Sequence, residues 1–205
     1  MVRRSIHTVT LNNLTNLPTP CRSCGYWEQA EPASIEEDFP EGNHPKEGWY
    51  DNVLSNWGDC GKLVVQSEQA LAYCQYAPPD FLPQLDHYRF GPVSADAIFL
   101  ACLYVAPDYR GRGLGKLLVN AVQKDLIKRG YRAVETFARR VPAKNPSGWT
   151  EFYLANGWQV IRDSGSLALL RLDLRTSISW QTNLESVLEG LVLPVPHKIK
   201  MPALP

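Results

Sequence analysis

The sequence lacks an excess of charge of either sign, because its 205 residues include 21 Lys and Arg and 21 Asp and Glu. This balance gives no general reason to expect nucleic acid or an anionic membrane as a partner. The chain also lacks an apolar run long enough to cross a bilayer. Its basic start, residues 1–7, is followed by polar residues instead of the apolar stretch of a signal peptide. We therefore expect a cytoplasmic protein.

A disulfide framework is missing as well, since the five cysteines are odd in number and irregularly spaced. Cys21 and Cys24 have the C-x-x-C spacing of half a zinc site. A second such pair is absent, and His7, His44 and Cys60 are not spaced to complete the site. We expect reduced thiols and no metal, with a zinc-stabilised interaction protein as the alternative based on this one motif.

Apolar periodicity predicts alternating strands and helices. The predicted strands are residues 6–11, 61–66, 70–76, 97–105, 132–138, 159–161 and 168–174, with a hairpin turn at Ser67 and Glu68. The predicted helices are residues 45–57, 113–129, 146–157 and 179–191. This order is typical of an α/β protein with a mixed sheet. Residues 14–45 give little signal, and the Pro-rich loop of residues 77–92 is a candidate for substrate specificity.

A glycine-rich segment, Arg110-Gly111-Arg112-Gly113-Leu114-Gly115-Lys116, joins the buried strand at 97–105 to the clearest helix. Such a junction presents unpaired backbone N–H groups at the positive end of the helix dipole, which favours an anion. Glycines let the main chain approach phosphate oxygens closely, and the three cations add positive charge. The segment therefore predicts a phosphate-binding loop.

Other phosphate-binding patterns fit this segment less well. A Walker A loop needs Ser or Thr after its lysine, where Leu117 stands. The dinucleotide pattern G-x-G-x-x-G fails because Lys116 occupies the position of its third glycine. Neither nucleotide-binding pattern is therefore the preferred interpretation of this loop.

The spacing Arg110-x-x-Gly113-x-Gly115 resembles the pyrophosphate motif of the GNAT superfamily of acyl-CoA-dependent N-acetyltransferases. A Leu-x-Val-x-Pro sequence at residues 103–107 precedes it, as often at the end of that family's fourth strand. A second motif, residues 152–158, is similar to the family's helix-to-strand segment, with Trp158 in place of the usual Phe.

The resemblance covers residues 97–174 and implies a single GNAT-like domain over residues 1–192, followed by a Pro-rich tail at 193–205. It implies an α/β fold with a mixed, mostly antiparallel sheet of about seven strands flanked by helices. The fourth and fifth strands of such a sheet splay apart to hold the acyl-CoA.

The function implied by the resemblance is transfer of an acetyl group from acetyl-CoA to a primary amine by direct attack. Main-chain groups of the fourth strand would bind the pantetheine, and N–H groups of the loop would bind the pyrophosphate. Asn145 resembles an asparagine often found ahead of the second motif, where it could bind the cofactor or only cap the helix. The implied cofactor-binding residues are Leu103, Tyr104, Val105, Arg110, Gly111, Arg112, Gly113, Leu114, Gly115, Lys116 and Asn145.

Catalytic residues are less clear from the sequence. Tyr153 stands where many relatives place the tyrosine that protonates the leaving thiolate, although it could instead pack in the core. Phe99 occupies the position of the glutamate that serves some relatives as base. Glu135 is a substitute candidate, with an ion pair to Arg132 or Arg139 as the structural alternative. The base therefore stays unassigned.

An alternative function is an acyl-CoA-binding regulatory module that keeps the loop without efficient turnover. The missing carboxylate at position 99 favours that alternative, whereas Tyr153 favours the enzyme. In both cases the partner is acetyl-CoA, joined for the enzyme by an amine acceptor, and a homodimer is common in the superfamily.

Overall fold

Eight strands form one sheet in the computed structural model, which describes residues 4–30, 46–88, 92–142 and 148–174. The strands are β1 (Arg4–Thr8), β2 (Gly61–Gln66), β3 (Gln69–Ala77), β4 (Ala97–Val105), β5 (Ala133–Arg139), β6 (Gly148–Trp149), β7 (Gln159–Asp163) and β8 (Leu167–Asp173). The α-helices are α1 (Thr19–Arg22), α2 (Glu47–Asn56), α3 (Leu114–Lys128) and α4 (Thr150–Leu154). The helix predicted at 179–191 and the Pro-rich tail lie outside the described residues.

The strand order is β1-β2-β3-β4-β5-β8-β7, with β6 paired to β5 beside this path. β4 and β5 run parallel, as do β5 and β6, and the remaining neighbours are antiparallel. The predicted α/β class with a mixed, mostly antiparallel sheet is therefore confirmed. The turn between β2 and β3 also lies where it was predicted, since Ser67 and Glu68 adopt the positive φ angles, 49° and 67°, of a tight hairpin turn.

β4 and β5 are paired for only three residues before they separate. Ala97–Phe99 pairs with Ala133–Glu135, whereas β4 continues to Val105 and β5 to Arg139. Beyond the separation, β6 pairs with the β5 edge that β4 has left, through Ala138 and Arg139. This confirms the predicted splay of the fourth and fifth strands.

A β-bulge in β4 changes the side of the sheet that its later residues face. Gln75 pairs with Cys102 and Tyr76 with Leu100, so that Ala101 is an extra residue in β4. Ala101 and Cys102 consequently face the same side, whereas strict alternation would place Cys102 on the side of Leu100. The bulge therefore turns Cys102 toward the N-terminal segments.

Two hydrophobic layers cover the sheet. On one face lie α3 and α4, with buried residues such as Leu118, Val122 and Trp158. The other face is covered by α2 and by N-terminal segments that the sequence analysis did not assign, which comprise α1 and a 3₁₀ helix at Leu11–Asn16. These segments bury Leu14, Leu17, Cys21 and Trp27 against the sheet. Each such side chain contributes about 1.5–3 kcal/mol on burial, which fixes this irregular stretch in place.

Candidate active site

A cleft of about 670 Å³ opens where β4 and β5 separate. It is lined from both faces of the sheet, because Leu103 and Val105 face α3 whereas Cys102 and Tyr104 face the N-terminal segments. We call residues 110–116 with Leu103 and Val105 the glycine-loop side. The thiol side consists of Cys21, Cys24, Trp27, Lys46, Tyr73 and Cys102. The cleft therefore passes through the sheet at the splay.

The glycine-loop side is built around the N-terminus of α3. Gly113 is the N-cap residue of this 15-residue helix with φ +79°, and Gly111 has φ +71°. Side chains rarely adopt such positive φ angles, which explains glycine at both positions. A Cβ atom built at either glycine would have no heavy atom within 4 Å, so the main chain is open toward the cleft. The first N–H groups of α3 therefore present an anion site.

Positive charge predominates in the cleft. Among the described lining residues are Lys46, Arg110, Lys116 and Arg139, and none is Asp or Glu. The Nε atom of Arg110 donates to the main-chain oxygen of Val105 at 3.1 Å, which ties the loop to the end of β4. Such a surface attracts an anionic ligand.

The predicted cofactor-binding residues are brought together, with two exceptions. Arg112 does not line the cleft, since its guanidinium lies over the Tyr109 ring at 5.4 Å from the centroid. Asn145 lies outside the described residues. The predicted residues that line the cleft are Leu103, Tyr104, Val105, Arg110, Gly111, Gly113, Leu114, Gly115 and Lys116.

Tyr153, the candidate general acid, lies behind the wall of the cleft. Its side chain is 1% exposed and hydrogen-bonded to the Thr136 hydroxyl, which donates to the Leu100 oxygen at 2.8 Å. A Cβ atom at Gly148, which lines the cleft, would lie 3.0 Å from the Tyr153 hydroxyl. Burial raises the pKa of Tyr153 well above its usual range, so the phenol stays protonated. This hydrogen-bond chain ties α4 to β5 and β4 at the splay.

Glu135, the candidate base, lies at the paired end of β4 and β5 and does not line the cleft. Its side chain is fully buried and accepts hydrogen bonds from Arg171 Nη1 at 3.0 Å and from the Ser94 N–H at 2.9 Å. Arg171 also binds Asp96, at 2.8 and 2.9 Å. Glu135 thus belongs to an ion-pair network, with Arg171 as partner instead of the expected Arg132 or Arg139.

The thiol side contains functional candidates that sequence reasoning missed. Lys46 is 3% exposed, and its Nζ atom contacts Glu28 and donates to Gln75 Oε1 at 3.1 Å. The Tyr73 hydroxyl donates to the same Gln75 oxygen. Burial alone would lower the pKa of Lys46, yet Glu28 raises it above the usual 10.5. The group comes from distant parts of the chain, so no local motif predicts it, although Trp27 and Glu28 lie three and four residues after Cys24 of the C-x-x-C motif.

The thiols of Cys21 and Cys24 are free and line the cleft. Within the described ranges there is no group of three or more His, Cys, Asp or Glu that could hold a metal ion. Over the same ranges, no helix has both the length and the apolar character needed to span a membrane.

The Pro-rich loop of residues 77–92 does not line the cleft where it is described. It borders a second cavity of about 1090 Å³ near Asp96 and Tyr131. Its Tyr88 ring stacks on Trp27 with 5.6 Å between centroids, so the loop supports the thiol side from behind. The described residues of this loop therefore do not line the cleft, and a role of the loop in substrate specificity stays a prediction.

Comparison with known proteins agrees with this geometry. The family model for the acetyltransferase (GNAT) family matches residues 24–153. No protein of curated function matches the sequence. Among solved structures, the PaiA N-acetyltransferase of Thermoplasma acidophilum, in complex with coenzyme A, superposes with a TM-score of 0.57 at 19% identity. This match covers 83% of the present chain and 99% of the other.

Two further solved structures are similar. The N-acetyltransferase of Staphylococcus aureus gives a TM-score of 0.55 at 13% identity, covering 84% of this chain and 99% of its own. The ribosomal-protein-alanine N-acetyltransferase of Brucella melitensis gives 0.54 at 14% identity, covering 82% and 99%. At these identities the likeness shows the fold. Because the family model spans more than half of the sequence, the chain belongs to the acetyltransferase (GNAT) family.

Proposed function

We propose that this acyltransferase transfers the acetyl group of acetyl-CoA to a primary amine. The observation that carries the proposal is the cleft itself, which joins an anion site at the start of α3 to an opening through the sheet. A phosphate-bearing co-substrate and an acceptor can thereby meet from opposite faces. The coenzyme A bound by the Thermoplasma acidophilum relative supports the choice of co-substrate.

The residues of the glycine-loop side fit acetyl-CoA. N–H groups from Gly111 to Lys116 would hold the pyrophosphate, with Arg110 and Lys116 adding charge. The edge of β4 beyond Phe99 has no β5 partner, so its main-chain groups are free to bind the pantetheine amides as an added strand would. Bound acetyl-CoA would supply the activated thioester carbonyl.

The protein's contribution to the reaction is mainly positioning. Holding the amine and the thioester together across the splay replaces a bimolecular encounter by a unimolecular one. A main-chain N–H of β4 near Leu103 or Tyr104 is our candidate donor to the developing oxyanion. Tyr153 is protonated but lies behind the cleft wall at Gly148, so we propose a packing role for it and no proton transfer. Both carboxylate oxygens of Glu135 accept hydrogen bonds, from Arg171 and from the Ser94 N–H, so we propose no catalytic role for it either.

Two broader expectations belong to this proposal. We propose a cytoplasmic location, because acetyl-CoA and reduced thiols suit that compartment. The homodimer is proposed from the family resemblance. Size-exclusion chromatography with light scattering measures the oligomeric state of the purified chain.

Turnover with a panel of primary amines tests the proposed function. We expect amine-dependent release of coenzyme A thiol, detected by a chromogenic disulfide, together with a product 42 Da heavier than the amine. Binding of acetyl-CoA without product from any amine would instead favour a regulatory module that retains the co-substrate site.

A further inference from the structure

A buried polar network adjoins the thiol side of the cleft. Lys46 connects Glu28 to Gln75, and Gln75 Oε1 also accepts a hydrogen bond from Tyr73. The Tyr73 hydroxyl lies 2.8 Å from that of Tyr50. Two members of the network, Lys46 and Tyr73, line the cleft directly. The network is therefore placed to act on whatever occupies this side.

One carboxylate oxygen of the network, on Glu28, has no hydrogen-bond partner among the described residues. The Glu28 side chain is 1% exposed, and its Oε1 atom is taken by Lys46. Its Oε2 atom is buried without a hydrogen-bond partner among the described residues, and so is Gln75 Nε2. An unpaired buried carboxylate oxygen destabilises the fold, since its lost hydration is not replaced. A ligand that donates an N–H to Oε2 would remove that cost.

The negative charge of Glu28 also affects the pKa values of two groups on the thiol side. Burial is the main cause of the raised pKa values of Cys24 and Tyr73, and the Glu28 charge raises both further. Over the described part of the chain no Asp or Glu lines the cleft, but Glu28 lies directly behind Lys46, which does. Glu135 is engaged by Arg171.

We propose that Glu28, held by Lys46, binds the amino group of the acceptor and takes up its proton, and that the thiol side accepts a primary amine on an apolar or aromatic body. This inference rests on the proposed acetyl transfer. It supplies the base that neither Phe99 nor Glu135 provides.

The proton balance of the step is simple. The amine nitrogen forms a bond to the thioester carbon, the carbon–sulfur bond breaks, and the thiolate leaves with the electron pair. The bound ammonium loses one proton to Glu28 Oε2, which frees the electron pair of the nitrogen for the attack. The second proton, lost by the nitrogen as the amide forms, neutralises the leaving thiolate. Lys46 assists, because a second buried cation beside it is disfavoured and the bound ammonium therefore gives up its proton more readily.

The surroundings of the network define the acceptor's body. Trp27 and Tyr73 offer aromatic surfaces, and the side chains of Cys21, Cys24 and Cys102 are small and soft. Such a lining favours an arylalkylamine over an amine that carries further charges.

Four titratable groups near the network stay neutral when the amine binds. Burial raises the pKa of Cys24, Tyr50 and Tyr73, and a hydrogen bond to Cys21 together with burial raises that of Cys102. None of these four groups therefore supplies a negative charge that would compete with Glu28 for the amino group.

Calorimetry on the coenzyme A-loaded full chain tests the inference without turnover. The probes are phenethylamine and 2-phenylethanol, which have the same aromatic body with and without the amino group. We expect phenethylamine to bind at least about tenfold more tightly than the alcohol, because hydrogen bonds to a charged group are strong. Repeating the titration in buffers of different ionisation enthalpy should show no net proton release, because the proton either stays on the amine or passes to Glu28 Oε2.

The matched variants are Glu28→Gln and, as control, Glu47→Gln, which makes the same change at an exposed position next to Lys46. Glu28→Gln should lose the preference for phenethylamine and keep its affinity for coenzyme A, whereas Glu47→Gln should change neither. Equal binding of amine and alcohol by the native protein would overturn the inference even if Glu28→Gln fails to fold. Absence of coenzyme A binding by the native protein would instead overturn the proposed function, and the inference with it.

Discussion

The two sides of the cleft are constructed in different ways. The glycine-loop side is one continuous segment at the start of α3, and its shape depends on local main-chain angles at Gly111 and Gly113. The thiol side is assembled from α1 and the segment that follows it, the residue before α2, β3 and β4, and it is held by a buried ion pair between Glu28 and Lys46. Changes to the first side should therefore affect ligand binding, whereas changes to the second should also affect folding.

The largest effect on stability is expected for Lys46→Met. It leaves the Glu28 carboxylate buried without its cation, which costs about 3–5 kcal/mol of unfolding free energy. Urea unfolding measures the loss, and the double variant with Glu28→Gln should recover most of it. If the single variant is as stable as the native protein, the ion pair does not hold the thiol side.

The same ion pair predicts a pH dependence of stability. Glu28 raises the pKa of Lys46 in the folded state above 10.5, despite burial. A raised folded pKa contributes stability that is fully present below the unfolded value and is lost as pH rises through the folded one. Urea unfolding should therefore show this contribution unchanged from pH 7 to about pH 10 and reduced above that, and the double variant should lack the alkaline loss.

Thiol labelling tests whether the two sides belong to one cleft. Burial raises the pKa of Cys24, so its alkylation should be slow at pH 7.5 and accelerate as pH rises. Coenzyme A at ten times its Kd leaves about one molecule in eleven free and should slow this labelling about tenfold. Cys60 and Cys74 are fully buried and serve as unreactive controls in the native protein. If coenzyme A leaves the labelling rate of Cys24 unchanged, the thiol side and the glycine-loop side do not belong to one cleft.

A smaller effect is expected for Lys116→Gln on the glycine-loop side. Lys116 is exposed, so the loss of its charge near a phosphate should weaken coenzyme A binding about fivefold at low salt. The difference should shrink as salt is added. Lys124→Gln, an exposed change further along α3, is the control and should leave the affinity unchanged.

The smallest effect is expected for Tyr153→Phe. The variant loses the hydrogen bond to Thr136 and about 1 kcal/mol of stability, with turnover changed less than about threefold. Thermal unfolding and steady-state kinetics on an accepted amine measure both. A fall in kcat of about 100-fold at unchanged coenzyme A affinity would restore Tyr153 as the general acid.

The sequence predicted the parts of the protein that local physics determines. The helix at α3, the hairpin turn at Ser67 and Glu68, the strand at 97–105 and the anion loop follow from periodicity, turn chemistry and glycine spacing. Residues 14–28, part of the stretch with little signal, were not assigned, because their short helices are stabilised by burial against the sheet and not by propensity.

The thiol side was beyond sequence reasoning for two physical reasons. The bulge at Ala101 reverses the facing of Cys102, and a one-residue shift cannot be read from alternation alone. The pairing of Glu28 with Lys46 and Gln75 depends on tertiary packing. Glu135 was misjudged as a cleft candidate because its partner, Arg171, is 36 residues away on the neighbouring strand β8.

The most direct test of the central claim is a calorimetric titration of acetyl-CoA into the native protein, Gly113→Asp and Gly130→Asp. Both glycines have positive φ, +79° and +82°, and open surroundings, but they lie at opposite ends of α3. We predict binding by the native protein and by Gly130→Asp, and a loss of more than about 100-fold in Gly113→Asp, where a carboxylate would face the pyrophosphate. Equal affinity in the three proteins would contradict the placement of the phosphates at the start of α3.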